Sequence, residues 1–233
     1  MGNTMVAVGK TFKGSPYVAQ TLELEGSEAL VINLQEFDCT TYVENVLAFS
    51  LMLKKEQTEF DAFSSLLQNI RYRDGELKGY SSRLHYFTDW IDNNEEKGLV
   101  RDITKEVGGI PLDKDINFMS GHRDLYPMLE DDNSFEDIKK TEERLSQKTL
   151  YYLPREKVAA SEELIHNGDI IALATSIGGL DVTHTGLAYR EKEGRLHLLH
   201  ASSSGEVKIS EKPLADYLMG VSKNTGIIVA RPQ

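Results

Sequence analysis

Residues 38–53, DCTTYVENVLAFSLML, form the strongest helical pattern in the sequence, and the predicted fold is built around them. Val43, Val46 and Leu47 recur at helical spacing, and other apolar residues fill most of the remaining circumference. Asp38 and the threonines after it can cap the first turn, and lysines follow the last turn, where the helix dipole is negative. A helix that is apolar on nearly every side is expected to lie deep inside the protein.

The composition excludes several functional classes. The chain has 233 residues, 40% of them hydrophobic, which is enough for the core of one elaborated domain or two small ones. Lys and Arg total 26 and Asp and Glu total 37, so the net charge of −11 disfavours binding to nucleic acid or to an anionic membrane. A single cysteine excludes an intramolecular disulfide and a multi-thiolate zinc site. No apolar run reaches the roughly 18 residues of a membrane-spanning helix, so we expect no transmembrane segment.

The C-terminal third of the sequence predicts an antiparallel meander of β-strands. Short β-type segments alternate with glycine-containing turns, at Ile170–Thr175, Val182–Tyr189, Arg195–Ala201, Val207–Ser210 and Ile227–Arg231. Before them lies a mixed region, 56–160, in which helices are predicted at Glu59–Ile70 and Asn133–Ser146. We therefore predict one α+β domain over 1–233, with a core of about 12–55 and 161–233 and an insertion of about 56–160.

The sole cysteine, Cys39, lies at the start of the apolar helix. There the free backbone N–H groups and the positive end of the helix dipole stabilise a thiolate, so we expect a lowered thiol pKa. A lone cysteine is otherwise most often a small buried apolar residue. Its position makes Cys39 a candidate nucleophile, which requires a histidine and usually a third polar group that orients the histidine.

Two of the six histidines, His184 and His200, lie on adjacent predicted strands. If the hairpin between those strands turns around Lys192, the two histidines are directly opposite each other on one face. Cβ atoms of such neighbours are roughly 4.5–5.5 Å apart, close enough for the imidazoles to hydrogen-bond. A turn centred elsewhere would break the pair. His197 lies on the opposite face, and His166 precedes a turn, where exposure is the simplest interpretation.

A metal site is the alternative use of these side chains. Cys39, His184 and His200 would then be three ligands, but none of them belongs to a close ligand pair at i, i+3 or i+4. We therefore favour a cysteine–histidine enzyme that binds no metal.

Four short motifs follow one another along the chain: Gly14-Ser15-Pro16-Tyr17, Asp38-Cys39-Thr40, His184-Thr185-Gly186 and His200-Ala201-Ser202. Their order and setting resemble those of the NlpC-type, papain-like cell-wall peptidases. The resemblance implies a papain-like core, in which the nucleophile-bearing helix packs on the antiparallel sheet, and no cofactor. It implies that Cys39 is the nucleophile and that His184 is the general base and acid. His200 would orient His184, and Tyr17 would help to bind the oxyanion together with the Cys39 backbone N–H.

The sequence is more similar to one branch of that superfamily, the N-acetylmuramoyl-L-alanine amidase-like family, from about residue 12 to 231. Thr41 stands where many NlpC-type endopeptidases have glycine, and residues 18–21 replace an aromatic residue and two glycines. The likeness includes the segments 37–45, 86–90, 179–184 and 199–203. It implies hydrolysis of the amide between N-acetylmuramic acid, especially its 1,6-anhydro form, and L-alanine in peptidoglycan fragments.

Three alternatives stay open at the level of sequence. The same residues could cut within the stem peptide, as a γ-D-glutamyl-diaminopimelate endopeptidase does. A catalytically silent wall-binding module could keep the fold, although it would not need Cys39, Tyr17, His184 and His200 together. Acyl transfer to an amine could replace hydrolysis. The sequence does not indicate an oligomeric state.

The insertion, 56–160, is expected near the cleft because it separates the nucleophile helix from the histidine strands. Sugar sites combine aromatic platforms with fixed polar groups, and the segments 83–90 and 118–127 offer both. The alternative is core packing for the aromatic residues and ion pairing for the arginines. The candidate substrate-binding residues are Arg83, His85, Tyr86, Trp90, Ser120 and His122, with Asp38 and Thr183 beside the nucleophile and the base.

The first ten residues, MGNTMVAVGK, lack the basic start and apolar stretch of a signal peptide. The family resemblance nevertheless implies a protein of the cell envelope, most simply periplasmic, whose signal peptide lies outside this sequence. A cytoplasmic role in muropeptide recycling is the alternative. The expected partners are disaccharide-peptide fragments of peptidoglycan.

Overall fold

The structure is a computed structural model that describes residues 1–23, 26–192 and 194–233. Its helices are α1 (Gly2–Thr11), α2 (Cys39–Lys54), α3 (Phe60–Arg71), α4 (Phe87–Glu96), α5 (Phe118–Gly121), α6 (Asp132–Gln147), α7 (Arg155–Ser161) and α8 (Leu214–Met219). Its strands are β1 (Val100–Asp102), β2 (Ile110–Leu112), β3 (Leu150–Pro154), β4 (Ile170–Thr175), β5 (Val182–Arg190), β6 (Leu196–Ala201), β7 (Val207–Ile209) and β8 (Asn224–Pro232). Short 3₁₀ turns lie between α3 and β4.

These strands pair antiparallel in the order β2-β3-β8-β4-β5-β6-β7, and β1 also pairs with β8. The predicted combination of helices with an antiparallel sheet is thereby confirmed. Strands β4 to β7 are consecutive neighbours, as in a meander, but β8 returns to the middle of the sheet between β3 and β4. The expectation of a simple meander is therefore wrong for β8. Residues 226–230 of that strand are all buried, which is typical of a strand with neighbours on both sides.

Strands from the middle of the chain extend the sheet beyond β8. β1 and β3 both pair with β8, and β2 pairs with β3. Residues 56–160 therefore contribute part of the sheet as well as helices.

Helix α2 is buried along most of its length, as its apolar composition predicts. Tyr42, Val46 and Leu47 are fully buried, and the helix packs against α1, α3 and β5. The predicted helices at 59–70 and 133–146 correspond to α3 and α6 with ends shifted by one residue. None of the described helices is long and apolar enough to cross a membrane.

Helix α1 is a part of the fold that the sequence patterns did not predict. Its Met5 is fully buried in the same apolar cluster as α2. The backbone of Gly2 lies against Gly168, where an added Cβ would be 2.1 Å from the Gly2 carbonyl oxygen. Gly168 also has a φ of 80°, so this turn before β4 requires glycine both for space and for conformation.

The two faces of the sheet carry different helices. Leu187 and Leu199 belong to the apolar cluster that contains α2. Ala188 and Leu198 belong to a second cluster that contains residues of α7 and α8. Because side chains alternate along a strand, the even-numbered positions of β6, and those of β5 from His184 onward, face α8. Val182 packs with the α2 cluster instead, because the pairing of β4 with β5 shifts register between His184 and Val182.

Candidate active site

The start of α2 is fixed by reciprocal hydrogen bonds around Asp38. Its Oδ1 accepts a hydrogen bond from the Thr41 backbone N–H at 2.7 Å, and its own backbone N–H donates to Thr41 Oγ1 at 3.0 Å. This capping box confirms the predicted capping by Asp38 and makes Cys39 the first residue of the helix. Thr41, which replaces the glycine common in NlpC-type endopeptidases, is thus half of the cap.

The surroundings of the Cys39 thiol favour its neutral form. Burial raises the pKa of the thiol, the carboxylate of Asp38 raises it further, and hydrogen bonds from Thr185 and Thr40 oppose the shift. The prediction that this pKa is lowered is therefore wrong, because desolvation by burial is the largest influence on it. Because a thiolate and not a thiol is the nucleophile, a reaction at this sulfur would require a base that removes its proton.

His184 and His200 form the imidazole pair that the sequence predicts. Nε2 of His184 lies 2.6 Å from Nδ1 of His200, and the two rings are nearly perpendicular. In residues 1–23, 26–192 and 194–233, no group of three or more His, Cys, Asp and Glu side chains is arranged to hold a metal ion.

The strand register that produces this pair differs from the predicted one. Leu187 is opposite Leu199, whereas a hairpin turning around Lys192 would place it opposite His197. The prediction that His184 and His200 are directly opposite is therefore wrong by two residues. A two-residue shift keeps the same face of each strand, so the imidazoles still meet, on a diagonal.

Both imidazoles are neutral at pH 7. Burial lowers the pKa of His184 to about 4. For His200, burial and then the charges of His184 and Lys208 lower the pKa to about 3. Because His200 occupies Nε2 of His184, the nitrogen of His184 that remains for proton transfer is Nδ1.

Thr185 joins the strand of His184 to the start of α2. Its Oγ1 donates a hydrogen bond to the carbonyl oxygen of Cys39 at 2.9 Å. Thr185 is buried and points to the α2 face of the sheet, whereas the neighbouring His184 points to the α8 face. Thr185 therefore fixes the position of Cys39, while the preceding residue, His184, supplies the imidazole. This contact was not predicted, although the alternation within His184-Thr185-Gly186 places Thr185 on the helix side.

Tyr17 lies beside the same helix start. Its backbone N–H donates to the carbonyl oxygen of Gly205 at 2.8 Å, and it forms a β-bridge with Phe37. Tyr17 is half-buried, and burial, followed by the negative charges of Cys39 and Asp38, raises the pKa of its hydroxyl. The hydroxyl therefore stays protonated at neutral pH and can donate a hydrogen bond.

Tyr217 of α8 is a second tyrosine at the site, and the sequence contains no local signal for it. Its ring lies edge-to-face with that of His200, with centroids 5.7 Å apart and planes at 82°. Burial and then the charge of Cys39 raise the pKa of its hydroxyl. It was missed because α8 is distant in sequence from both α2 and β5.

A cleft of about 520 Å³ opens next to Asp38 and Thr40. One wall comes from residues 71–85 and another from the segment 125–127. The residues that line it are Gln20, Leu22, Glu23, Asp38, Thr40, Glu44, Arg71, Arg83, Leu84, His85, Leu125, Tyr126 and Pro127. Three candidate substrate-binding residues, Asp38, Arg83 and His85, are thereby brought together.

Ion pairs hold the charged wall of this cleft in place. Arg71 Nε donates to Glu44 Oε2 at 2.7 Å, and both side chains are 2% exposed. Arg83 is paired with Glu23 at 2.6 Å and with Glu28 at 3.2 Å. The guanidinium groups are thus compensated by carboxylates, and the cleft does not present a free positive patch.

Trp90 and Tyr86 do not face the cleft, and their prediction as substrate-binding residues is corrected. Trp90 is fully buried in the core and stacks on Phe87, with ring centroids 4.8 Å apart. Tyr86 is 2% exposed, and its hydroxyl donates to Glu142 Oε1 at 2.6 Å. The segment 86–91 belongs mostly to α4, whose apolar side packs inward, so core packing is the role of both rings.

Ser120 and His122 are also absent from the cleft lining. The Ser120 backbone N–H donates to Glu142 Oε1 at 3.0 Å, which ties it to α6. The exposed ring of His122 stacks on Phe118, with centroids 4.2 Å apart. Thr183 is exposed on β5 directly before His184, where it remains available to a ligand.

Known proteins match this chain over nearly its whole length. The family model described as AmiA-like, N-acetylmuramoyl-L-alanine amidase-like, matches residues 7–227. A crystal structure of an N-acetylmuramoyl-L-alanine amidase from Bacteroides uniformis is similar with a TM-score of 0.94 and 42% identity, covering 100% of this chain and 98% of that one. A structure from Bacteroides fragilis, described as that of a candidate xylanase, has a TM-score of 0.90 and 41% identity, covering 97% and 99%. A Legionella pneumophila protein shares the fold at 23% identity, with a TM-score of 0.74 and coverage of 99% and 88%. No curated protein matches the sequence significantly.

Proposed function

Because the chain belongs to the N-acetylmuramoyl-L-alanine amidase-like family, we propose that it uses Cys39 to hydrolyse the amide between N-acetylmuramic acid and L-alanine in peptidoglycan fragments. The observation that carries the proposal is the 2.6 Å contact between His184 Nε2 and His200 Nδ1, on the strand that Thr185 joins to Cys39. A wall-binding module would not require a buried neutral imidazole pair on a strand that is hydrogen-bonded to the start of the cysteine-bearing helix. The proposed substrates include fragments with the 1,6-anhydro sugar.

The first half of the proposed reaction forms a thioester. Nδ1 of His184 takes the proton from Cys39 as Sγ attacks the lactyl carbonyl carbon. The oxyanion that develops accepts hydrogen bonds from the Tyr17 hydroxyl and the Cys39 backbone N–H. When the carbonyl re-forms, the C–N bond breaks, and His184 gives its proton to the departing amine of L-alanine.

The second half releases the sugar. Nδ1 of His184 removes a proton from a water molecule as the water oxygen attacks the thioester carbonyl. The C–S bond breaks, the Cys39 sulfur regains the proton from His184, and the muramoyl acid leaves with a free lactyl carboxylate. Throughout both halves His200 fixes the ring orientation of His184.

We place part of the substrate in the cleft next to Asp38 and Thr40. Leu125, Tyr126 and Pro127 provide an apolar wall, and Arg83 and His85 provide fixed polar groups. An apolar face with polar edges suits a sugar ring, which has apolar faces and hydroxyl edges. Tyr126 thus replaces Trp90 as the proposed aromatic platform.

Substitution of Tyr126 tests this placement. Tyr126→Ala should raise KM for a disaccharide-peptide about tenfold and change kcat by less than about threefold, because it removes binding that substrate and transition state share. Tyr151→Ala, which removes a partly exposed tyrosine ring outside the cleft, is the matched control and should leave KM unchanged. An unchanged KM for Tyr126→Ala would remove the cleft from the proposal.

The function itself is tested by the products of one purified substrate. An anhydro-disaccharide tetrapeptide is incubated with wild type or with Cys39→Ala, and the products are separated and weighed by mass spectrometry. We expect free disaccharide and intact tetrapeptide with wild type, and no reaction with Cys39→Ala. A cut within the peptide would make the protein a stem-peptide endopeptidase. A cut between the sugars would assign it glycosidase activity, which would contradict the proposed reaction.

The proposed substrate places the protein in the cell envelope, most simply in the periplasm. Peptidoglycan fragments are produced there, and a lone cysteine has no intramolecular thiol with which to form an inactivating disulfide. Fractionation of the native cells should recover the protein with periplasmic markers. Recovery with cytoplasmic enzymes would favour muropeptide recycling inside the cell.

A further inference from the structure

One nitrogen of His200 has no hydrogen-bond partner among the described residues. His200 is 1% exposed, and its Nδ1 meets His184. Its Nε2 is buried and makes no hydrogen bond to a described group. A buried polar atom without a partner destabilises the folded state, and a favourable contact with a neighbouring group reduces that cost.

The ring of Tyr217 lies against this imidazole. The two rings are perpendicular, in an edge-to-face arrangement. An aromatic face is electron-rich, so it attracts an N–H group and repels a nitrogen lone pair. Tyr217 is held firmly because Leu214 and Leu218 of the same helix are fully buried in the core.

The imidazole pair has two neutral arrangements of its protons. In the first, His184 Nε2–H donates to His200 Nδ1, which leaves a lone pair on His184 Nδ1 and a hydrogen on His200 Nε2. In the second, His200 Nδ1–H donates to His184 Nε2, so His184 carries its hydrogen on Nδ1 and His200 Nε2 is a bare lone pair. Only the first allows His184 to accept the proton of Cys39.

We propose that Tyr217 is a positioning residue that selects the first arrangement, because its aromatic face receives the Nε2–H of His200. The second arrangement would direct a lone pair at the same face. The cross-strand neighbour of His200 on β7, Lys208, has an ammonium group, which donates hydrogen bonds and does not accept them. This inference rests on the proposed roles of Cys39 and His184.

Two substitutions of Tyr217 separate the aromatic face from the hydroxyl. Tyr217→Phe keeps the face, and we expect kcat to stay within about threefold of wild type. Tyr217→Leu removes the face, and we expect kcat to fall about tenfold or more while KM changes less than about threefold. Tyr152→Leu, which removes a partly buried tyrosine of β3, controls for lost packing, and thermal unfolding confirms that each variant folds. Equal losses in both Tyr217 variants, or none in Tyr217→Leu, would overturn the inference.

Nitrogen-15 NMR of the histidine rings gives a readout that does not depend on substrate. Wild type and Tyr217→Phe should show His200 with its hydrogen on Nε2, and Tyr217→Leu should show a mixture of the two arrangements. A hydrogen on Nδ1 of His200 in wild type would overturn the inference. If the expected tautomers are found but the proposed substrate is not hydrolysed, the proposed function fails while the role of Tyr217 in fixing the pair stands.

Discussion

Cys39 and His184 are both neutral in the resting protein, because burial raises the pKa of the thiol and lowers that of the imidazole to about 4. In the proposed reaction the proton therefore moves from the sulfur to His184 during the attack on the carbonyl. The sulfur is therefore less nucleophilic before substrate binds, whereas the imidazole stays unprotonated, and so able to accept a proton, down to low pH. At the scale of residues, burial is thus the main influence on the protonation of both groups.

The acid side of the pH profile tests this neutral pair. His184 accepts a proton only when it is unprotonated, so kcat/KM should rise as pH increases through about 4, the pKa of His184, and be level by pH 6. The profile is measured with a disaccharide-peptide in buffers of constant ionic strength, with far-UV circular dichroism at each pH as the control for unfolding. A half-maximal value near pH 6.5, the ordinary histidine pKa, would contradict the burial argument.

Tyr17 can be tested by removal of one oxygen. Tyr17→Phe should lower kcat about 10²–10³-fold with little change in KM, because an oxyanion donor acts mainly on the transition state. The melting temperature should stay near that of wild type, since Tyr17 is only half-buried. Tyr152→Phe is the matched control. A Tyr17→Phe enzyme with wild-type kcat would assign the oxyanion to other donors.

At the scale of elements, the spacing within His184-Thr185-Gly186 has a structural explanation. An added Cβ on Gly186 would lie 2.8 Å from the Cβ of His200 and 2.9 Å from Leu198 Cδ1. Glycine at this position makes room for the second histidine on the neighbouring strand. Strand β5 thus supplies the proposed base, the contact to α2 and the space for His200 within three residues.

Gly186→Ala should displace His200 and thereby release His184. We expect kcat/KM to fall at least about tenfold while the protein still folds, because the steric conflict is local to the strand pair. Gly178→Ala is the matched control, since nothing lies within 4 Å of its added Cβ. Activity and thermal unfolding are measured for both variants. Wild-type activity in Gly186→Ala would show that the position of His200 is not critical.

At the scale of the whole molecule, a buried ion pair joins α3 to α2, and hydrogen bonds join the segment before α2 to α3 and to the residue that follows α3. Arg71 of α3 is paired with Glu44 of α2 and also donates to the carbonyl oxygen of Val31 at 2.6 Å. The hydroxyl of Tyr72 donates to Glu28 at 2.8 Å. These contacts hold the charged wall of the cleft in a fixed position relative to the start of α2.

Arg71→Met should destabilise the protein by about 3–5 kcal/mol, because it leaves Glu44 buried without a partner. Burial already raises the pKa of Glu44, and Arg71 opposes that shift. Without Arg71 the pKa of Glu44 in the folded state lies further above its value in the unfolded state. The loss of stability caused by the substitution should therefore be smaller at pH 5 than at pH 8. Urea unfolding at both pH values measures the free energy of unfolding. Lys139→Met, which breaks an exposed pair with Glu136, should change stability by less than about 1 kcal/mol.

The sequence predicted the elements with strong local patterns and missed those that depend on distant contacts. Helix α2 and strands β4 to β6 were correct to within a residue or two, because their apolar spacing is local. The register between His184 and His200 was wrong by two residues, because the turn at 191–194 contains no pattern that fixes its length; Glu193 lies outside the described residues. The position of β8 between β3 and β4 is decided by the packing of the whole sheet.

Burial of single side chains was the other limit of the sequence. Trp90 and Tyr86 belong to a segment with both aromatic and charged residues, which fits a sugar site and the buried side of a helix equally well. Tyr217 becomes visible as a neighbour of His200 only when α8 is placed on the sheet. The candidates in complete motifs, Cys39, Tyr17, His184 and His200, lie at one end of the sheet because each motif also carries the local structure that positions it.

The most direct test of the account is the mass of the covalent intermediate on Cys39. Wild-type protein is mixed with the anhydro-disaccharide tetrapeptide, quenched in acid within milliseconds to seconds, digested, and analysed by mass spectrometry, with Cys39→Ser as the control. We predict that the peptide containing Cys39 carries the muramoyl disaccharide as a thioester and that the tetrapeptide is already released. An adduct that contains stem-peptide residues, or hydrolysis that persists in Cys39→Ser without any adduct, would contradict the account.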